Sequence, residues 1–549
     1  MSDAVTASGP GQIPAGQISG GQVSGEQDGQ QWTPGSDTVR PPTSVVIGFF
    51  LMVFGMFMAI LDIQIVSSSI GDIQSGLAAS PDEASWIQGS YLIAEIVMIP
   101  LSGYLARALS TRVMFSLAAA GFTLASILCA TATSMSEMIV YRAVQGFLGG
   151  GMIPSIYSSM IMVFGRQRQR TIMVFVSLII TMGPTIGPTL GGWITDAFGW
   201  HWLFLINVIP GIIVSIGVWM FVRIDEPNPG LLKRIDLISL GLMAVFLGAL
   251  EYVLEEGAKK QWFEDSHIFW LTAISIVCGV AFITRTLRSK EPIVNLRIFA
   301  NYNFTVGSLL GALIGVGLFG LVYIYPLFLG RVAGLSSMQI GNILSVSGFC
   351  MVLAAPLTLQ LQKKLDLRIV SAMGVLLLAY ATWMSHTLTA EWHFHELLIP
   401  QMMRGFGLMM CMSPISSIAF GTLPLDRVKD AGGLYTLCRN LGGAFGLAGI
   451  NTILQWRENF HWSRLAEHVS YGRPEVESWL SGTEQRMMDA GLSDPSGAAM
   501  KQLGLLFQRE VTVLSYADCM ALLGVMFFAV VIVPLMLKPG RVSAAGEAH

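Results

Sequence analysis

The chain has 549 residues, of which 53% are hydrophobic and only 12% charged, and its mean hydropathy is +0.61. A soluble domain needs a largely polar surface, so the solvent for most of this chain is lipid. Its net charge of −3 offers no basic surplus for nucleic acid, and its six cysteines, none in a C-x-x-C pair, give neither a disulfide framework nor a zinc site.

Residues 1–43 are rich in Gly, Gln and Ser and lack the basic start and short apolar core of a signal peptide, so they read as a disordered tail. In hydrocarbon every backbone N–H and C=O must be paired within the chain, so each apolar run of about twenty residues predicts a spanning helix. Fourteen such runs follow, near 45–68, 85–106, 112–132, 137–163, 171–194, 202–222, 235–255, 268–286, 303–329, 338–361, 368–388, 396–422, 430–455 and 515–537. Lys and Arg favour cytoplasmic loops. They gather in alternate loops, at Arg40, Arg107 and Arg112, Arg166 to Arg170, Arg223 to Arg234, Arg285 to Arg297, Lys363 to Arg368, Arg427 and Lys429, and Lys538. The short loops between carry Lys259, Lys260 and Arg331 alone. Both termini are therefore expected in the cytoplasm, 539–549 as a second tail, with the long loop 457–514 on the far side. Its beginning, Trp456 to Val469, mixes aromatic and charged residues as an interfacial or partner-binding helix does.

Two adjacent helices recur. Gln145-Gly146-Phe147 followed by Pro154 matches Arg404-Gly405-Phe406 followed by Pro414, and the next helix in each case carries spaced glycines, Gly183, Gly187 and Gly191 against Gly442, Gly446 and Gly449. The expected architecture is all-α and polytopic: a six-helix bundle at 44–223, two extra helices at 224–302, and a second six-helix bundle at 303–538. Repeated halves place a substrate site at their interface.

The segment Gly183-Pro184-Thr185-Ile186-Gly187-Pro188-Thr189-Leu190-Gly191-Gly192 sets glycines at i, i+4 and i+8 on one helix face, a groove for close packing of another helix. Pro184 and Pro188 each remove a backbone donor and permit a bend. Five ionisable residues fall inside predicted spans: Asp62, Glu95, Arg142, Arg404 and Arg439. Charge in the bilayer interior is costly unless it meets a partner or a wet cavity, so each is a functional candidate. Asp62 and Arg142 lie at depths that let them pair, as an ion pair either structural or proton-dependent; Glu95 is the other candidate for a proton. Gln145, Arg404, Arg439 and Met403, the last in a methionine-rich run, are candidates to line the substrate pocket. His393 and His395 have no third partner for a metal. The chain has no G-x-x-x-x-G-K-[ST] phosphate loop, no G-x-S-x-G and no H-E-x-x-H, so neither ATP nor catalysis drives it, and an ion gradient remains.

These residues resemble a known family. Gly183 to Gly192 resembles the helix 5 antiporter motif of drug:proton exporters of the major facilitator superfamily, and Tyr141-Arg142-Ala143-Val144-Gln145-Gly146 resembles their helix 4 motif. Leu61-Asp62-Ile63-Gln64-Ile65-Val66 and Trp200-His201-Trp202-Leu203-Phe204-Leu205-Ile206-Asn207-Val208 are similar to segments of the fourteen-helix EmrB/QacA branch. The resemblance covers about 44–539 and is nearest to EmrB-like multidrug exporters. It implies the major facilitator fold, export of small hydrophobic or amphipathic substrates in exchange for protons, no cofactor, and work alongside a periplasmic adaptor and an outer-membrane channel in a bacterial inner membrane. An exporter dedicated to one metabolite, such as a siderophore or fatty acid, or a proton-coupled importer is the alternative. The loop Gly103 to Arg112 departs from the family pattern: Arg107 stands where Asp is usual and Ser110 where Gly is usual, so the gating role of Gly103, Arg107 and Arg112 is an open expectation.

Overall fold

A computed structural model describes residues 32–37, 39–467, 469 and 473–538; of the expected tails at 1–43 and 539–549, residues 1–31, 38 and 539–549 lie outside them, while Gly35 donates its amide to the Met162 carbonyl and Thr43 begins the first helix. The described residues form helices and no strand. Fourteen helices are numbered here: α1 Thr43–Ser68, α2 Pro81–Leu109, α3 Thr111–Ala130, and α4, which begins as Met135–Gly149. The long helix Met152–Phe198 is split at Gly165 (φ 69°, ψ −177°) into the end of α4 and the whole of α5. After it come α6 Val208–Phe221, α7 Leu237–Glu256, α8 Ser266–Arg288, α9 Tyr302–Arg331 and α10 Ser337–Lys364. The last four are α11 Leu367–Met384, α12 Phe394–Gly421, α13 Val428–Ala466 and α14 Pro495–Val530.

Eleven segments among the described residues are long and apolar enough to cross a membrane, and one of them, Met135–Phe198, contains both α4 and α5. α12 and α13, richer in polar side chains and glycine, complete the set. Local signals set several ends. The Ser80 hydroxyl accepts from the Glu83 amide while the Glu83 carboxylate accepts from the Ser80 amide, starting α2; Asp236, Asp265, Asn301 and Asp366 cap α7, α8, α9 and α11 in the same spirit. The loop 457–514 is largely helical: α13 runs on to Ala466, and the helix Pro474–Asp489 precedes α14.

The two halves pack by one rule. In the first, α1 lies on α5, α2 on α4 and α3 on α6; in the second, α9 lies on α13, α10 on α12 and α11 on α14. Glycines make the repeat physical. A Cβ on Gly187 would meet the backbone of Gln64 in α1, and one on Gly446 would fall 3.0 Å from the Val316 Cα in α9. A Cβ on Gly146 would sit 2.8 Å from the Tyr91 Cα in α2, and one on Gly405 3.2 Å from the Ser347 carbonyl carbon in α10. Gly449, the third glycine of the second set, faces open space. Two seams join the halves, α5 against α10 and α2 against α13. The extra helices, central in sequence, are peripheral in space: α7 covers the α2–α13 seam, and α8 packs on α7 with Ile276, Val277 and Val280 exposed, as a lipid-facing helix requires.

Candidate functional site

Asp62, in the second half of α1, is 1% exposed and receives three side chains. Arg142 Nη1 donates to its Oδ2 at 2.6 Å, and Gln145 Nε2 and Asn207 Nδ2 donate to its Oδ1 at 3.1 and 2.6 Å. Arg142 also donates to the Gln145 side-chain oxygen at 2.6 Å and to the Ile87 carbonyl at 3.1 Å, and the Tyr91 ring lies 4.3 Å from its guanidinium carbon. Ser126 accepts from Gln145 at 2.7 Å. Five helices thus meet at one charge pair that is fully enclosed. In so dry a place the pair is supported by the hydrogen bonds around it, although Arg142 Nη2 meets no acceptor among the described residues. Asn207 was not among the candidates from sequence; its signal was its place in the quoted segment Trp200 to Val208.

Glu95 lies on α2, 2% exposed, and its Oε1 meets no donor among the described residues. The backbone of Glu95 is pressed against Gly150, whose Cβ would fall 2.6 Å from the Glu95 carbonyl oxygen. The cations that act on it are Arg439, across the seam on α13, and Arg142. Arg439 donates to the Tyr157 hydroxyl at 3.3 Å, a contact between the two halves. Glu95 and Arg439 therefore stand at the bundle interface, whereas Asp62 and Arg142 are locked within the first bundle.

Arg404 occupies the place in α12 that Gln145 has in α4, since Gly405 and Gly146 make matching contacts. Gln401 then corresponds to Arg142, so arginine and glutamine have changed places between the halves. The outcome differs. Arg404 Nε donates to Ser347 at 3.3 Å and its guanidinium lies 5.5 Å from the Tyr325 ring, but neither terminal nitrogen meets an acceptor, and no carboxylate pairs with it among the described residues. Met403 is half-buried beside it.

The glycine face of α5 packs on α1: a Cβ on Gly183 would fall 2.6 Å from Ile60 Cγ2, and one on Gly191 would fall 2.5 Å from the Ile65 carbonyl oxygen. Pro184 is buried, and Pro188 and Gly192 are half-buried. Threonines between the glycines point the other way. Thr185 and Thr189 lie against Gly348 and Gly341 of α10, so α5 is held between its own bundle and the other half.

At the face where the basic loops gather, Arg107 forms a 2.5 Å ion pair with Asp430 at the start of α13, and Lys429 a 2.5 Å pair with Asp225, which also accepts from the Thr111 amide and hydroxyl. In the first pair the acid comes from the second half and the base from the first; in the second pair the base comes from the second half and the acid from the segment after α6. Gly103 fits under the same contact, a Cβ there falling 2.9 Å from the Lys429 carbonyl oxygen. Arg112 does not join: its guanidinium lies 5.1 Å from the Trp219 ring. Ser110 holds φ 76°, ψ 153°, a region that favours glycine. Arg166 reaches the Gly421 and Leu423 carbonyls, and the Tyr157 ring stacks on Phe420 at 4.9 Å and meets Tyr435 edge-on at 5.6 Å. Polar and aromatic contacts together close this end between the halves. Asp225, Asp430 and the three aromatics gave no signal in sequence, because each acts only through a partner hundreds of positions away or in another helix.

The sequence profile described as "Major Facilitator Superfamily" matches residues 52–447. The chain belongs to the major facilitator superfamily. Within that superfamily it is similar to the colistin resistance protein EmrB of Acinetobacter baumannii, 38% identical over 90% of this chain and 96% of that one. It is also similar to the multidrug export protein EmrB of Escherichia coli K12, 28% identical over 88% and 95%, and to the fatty acid resistance protein FarB of Neisseria gonorrhoeae, 29% identical over 80% and 86%. Among solved structures, the human organic anion transporter MFSD10 covers 90% of this chain and all of that one, with a TM-score of 0.59 at 12% identity, a likeness of fold alone. The fold is that of a multi-pass transporter of the superfamily, with its two six-helix bundles and an added pair.

Proposed function

We propose that this chain is a proton-driven exporter of toxic hydrophobic or amphipathic compounds, working by alternating access in a bacterial inner membrane with both termini in the cytoplasm. The observation that carries this reading is end-to-end similarity to relatives whose names record multidrug export and colistin resistance, at 28% and 38% identity. Glu95 supports it: a buried carboxyl, one oxygen of which meets no donor among the described residues, at the interface of the halves, is costly to ionise and so takes up or releases a proton when its surroundings change. Asp62 with Arg142 and Gln145 holds the first bundle in shape, the proline- and glycine-bearing α5 lets the halves rock, and the Arg107–Asp430 contact with Gly103 is the cytoplasmic gate. Arg439, Arg404 and Met403 line the route of the substrate. The largely helical loop 457–514 is a docking surface for a periplasmic adaptor leading to an outer-membrane channel.

A second reading, an exporter dedicated to carboxylic amphiphiles, has one observation in its favour: Arg404 is a buried cation without a carboxylate, and FarB is named for fatty acid resistance. A toxicity panel in a pump-deficient host, with and without a matching adaptor, separates the two. Resistance to several unrelated compounds is expected; protection against medium-chain fatty acids alone would favour the second reading, and protection against nothing would overturn both.

A further inference from the structure

The extra helix α7 carries two acidic residues that the export reading leaves idle. Glu251 and Glu255 lie one helical turn apart on α7, about 6 Å between their Cβ atoms at such spacing. Glu251 is 6% exposed and its Oε2 meets no donor among the described residues. Glu255 lines a crevice between α2 and α7, with Trp86, Gly89, Tyr252 and Glu256, at the end of the molecule opposite the basic loops. The two helices run antiparallel there: a Cβ on Gly89 would fall 3.2 Å from Glu255 Oε2, and one on Gly248 3.5 Å from Ile93 Cγ2. That register sets Ser90, a buried hydroxyl that also meets no partner among the described residues, near the level of Glu251, and Glu95 one to two turns deeper. Three carboxyls therefore descend in order from the crevice to the bundle interface.

We propose that Glu255, Glu251 and Glu95 form a proton-access path from the far face of the membrane to the interface of the two bundles, and that carrying its middle step is the task of α7. The inference rests on the proton-coupled reading of Glu95. The charged groups around each member fit the order. The charges that act on Glu255 are those of Lys259 and Glu256 at the outer end; on Glu251, those of Glu255 and Glu95; on Glu95, those of Arg439 and Arg142. The cations named here thus stand at the two ends. In the middle, the charges that act on Glu251 are those of two other carboxyls, so the three groups resist being ionised together, and a proton arriving at Glu255 is passed inward. Each step is balanced: the O–H bond of the outer carboxyl breaks as that of the next forms, directly or through the Ser90 hydroxyl, and the outer carboxylate is then recharged from water in the crevice. The buried unpaired oxygens of Glu95 and Glu251 are what such a path needs, because a carboxyl fixed by a salt bridge keeps its charge and passes nothing on.

Proteoliposomes holding wild-type protein, E251Q, E251D or E255Q test the path. Uptake of ethidium driven by a pH gradient is expected to fall at least tenfold in E251Q, to recover in part in E251D, and to fall in E255Q, while ethidium counterflow without a gradient stays within twofold of wild type. E251Q that accumulates ethidium within twofold of wild type would overturn the proposal, and so would loss of counterflow together with gradient-driven uptake, which marks a structural role. Infrared titration of protonated carboxyls in the purified protein needs no substrate. There E251Q is expected to shift the pH at which the Glu95 band, identified by its loss in E95Q, titrates. Unchanged titration of that band would overturn the path. A band shifted by E251Q, in a protein whose wild type moves no ethidium, would support the path and count against export.

Discussion

Two buried acids, 33 positions apart in sequence, have opposite surroundings, and their variants should behave oppositely. Asp62 receives Arg142, Gln145 and Asn207. Asp62→Asn leaves a dry guanidinium without its anion, a loss worth about 3–5 kcal/mol in comparable buried pairs, so thermal unfolding followed by tryptophan fluorescence should move down by several degrees along with transport. Glu95 has an oxygen with no donor, so Glu95→Gln removes a charge without orphaning a partner. It is expected to keep the wild-type unfolding temperature while losing pH-gradient-driven efflux in inverted vesicles. Efflux at the wild-type rate in Glu95→Gln would remove Glu95 from the coupling machinery. Both acids were readable in sequence as ionisable residues in apolar runs. Which of them was paired was not, because pairing depends on the depth at which Arg142 and Asn207 arrive from other helices.

At the scale of the element, α5 is the clearest case of sequence dictating packing. Its three glycines admit α1 to backbone contact on one side, and its threonines meet the glycines of α10 on the other. Gly187→Val would drive a branched side chain into the Gln64 backbone, an overpacking cost of about 1–3 kcal/mol, and because α5 also bears on α10, efflux should fall more than the amount of protein in the membrane, which quantitative immunoblotting would establish. The α7–α8 hairpin is governed by charge instead. Arg285 grips Asp236 through two nitrogens at 2.6 and 3.0 Å, and this partner holds the Asp236 carboxyl well below the usual carboxylate range. A carboxyl lowered on folding stabilises the native state above its unfolded pKa, and that contribution is lost as pH falls through the folded value. Asp236→Asn, which keeps a capping oxygen, should therefore lower thermal stability near pH 7 and make little difference in strong acid; an equal deficit at both would show that the charge is not what matters. The spans and the α5 groove were legible from local pattern. The position of α7 over the α2–α13 seam was not, since nothing in its own run of residues says which lipid-facing surface it covers.

For the whole molecule the question is what holds one end shut. The bonds between the halves concentrate at the basic face, where Arg107 meets Asp430, Lys429 meets Asp225 and the Tyr157 ring stacks on Phe420. Arg107 stands where the family pattern has an acid, which put an Asp-based gating contact in doubt from sequence; in the structure an acid, Asp430, meets it from the other half. Such a pair makes a reciprocal test possible. Arg107→Asp places two carboxylates together, and Asp430→Arg places two guanidinium groups together beside Lys429. Each should weaken closure of this end, and every 1.4 kcal/mol lost changes the ratio of closed to open tenfold. The double variant, Arg107→Asp with Asp430→Arg, restores opposite charges at the same spacing and should return most of that ratio, with Lys429 near the new arginine accounting for what is not regained. Distances between spin labels placed on the ends of α2 and α13 would report it. Broad, longer distances in both single variants and a return toward the wild-type distance in the double variant are expected. A double variant as open as the singles would mean that the aromatic stack and the Arg166 contacts close the molecule without the pair.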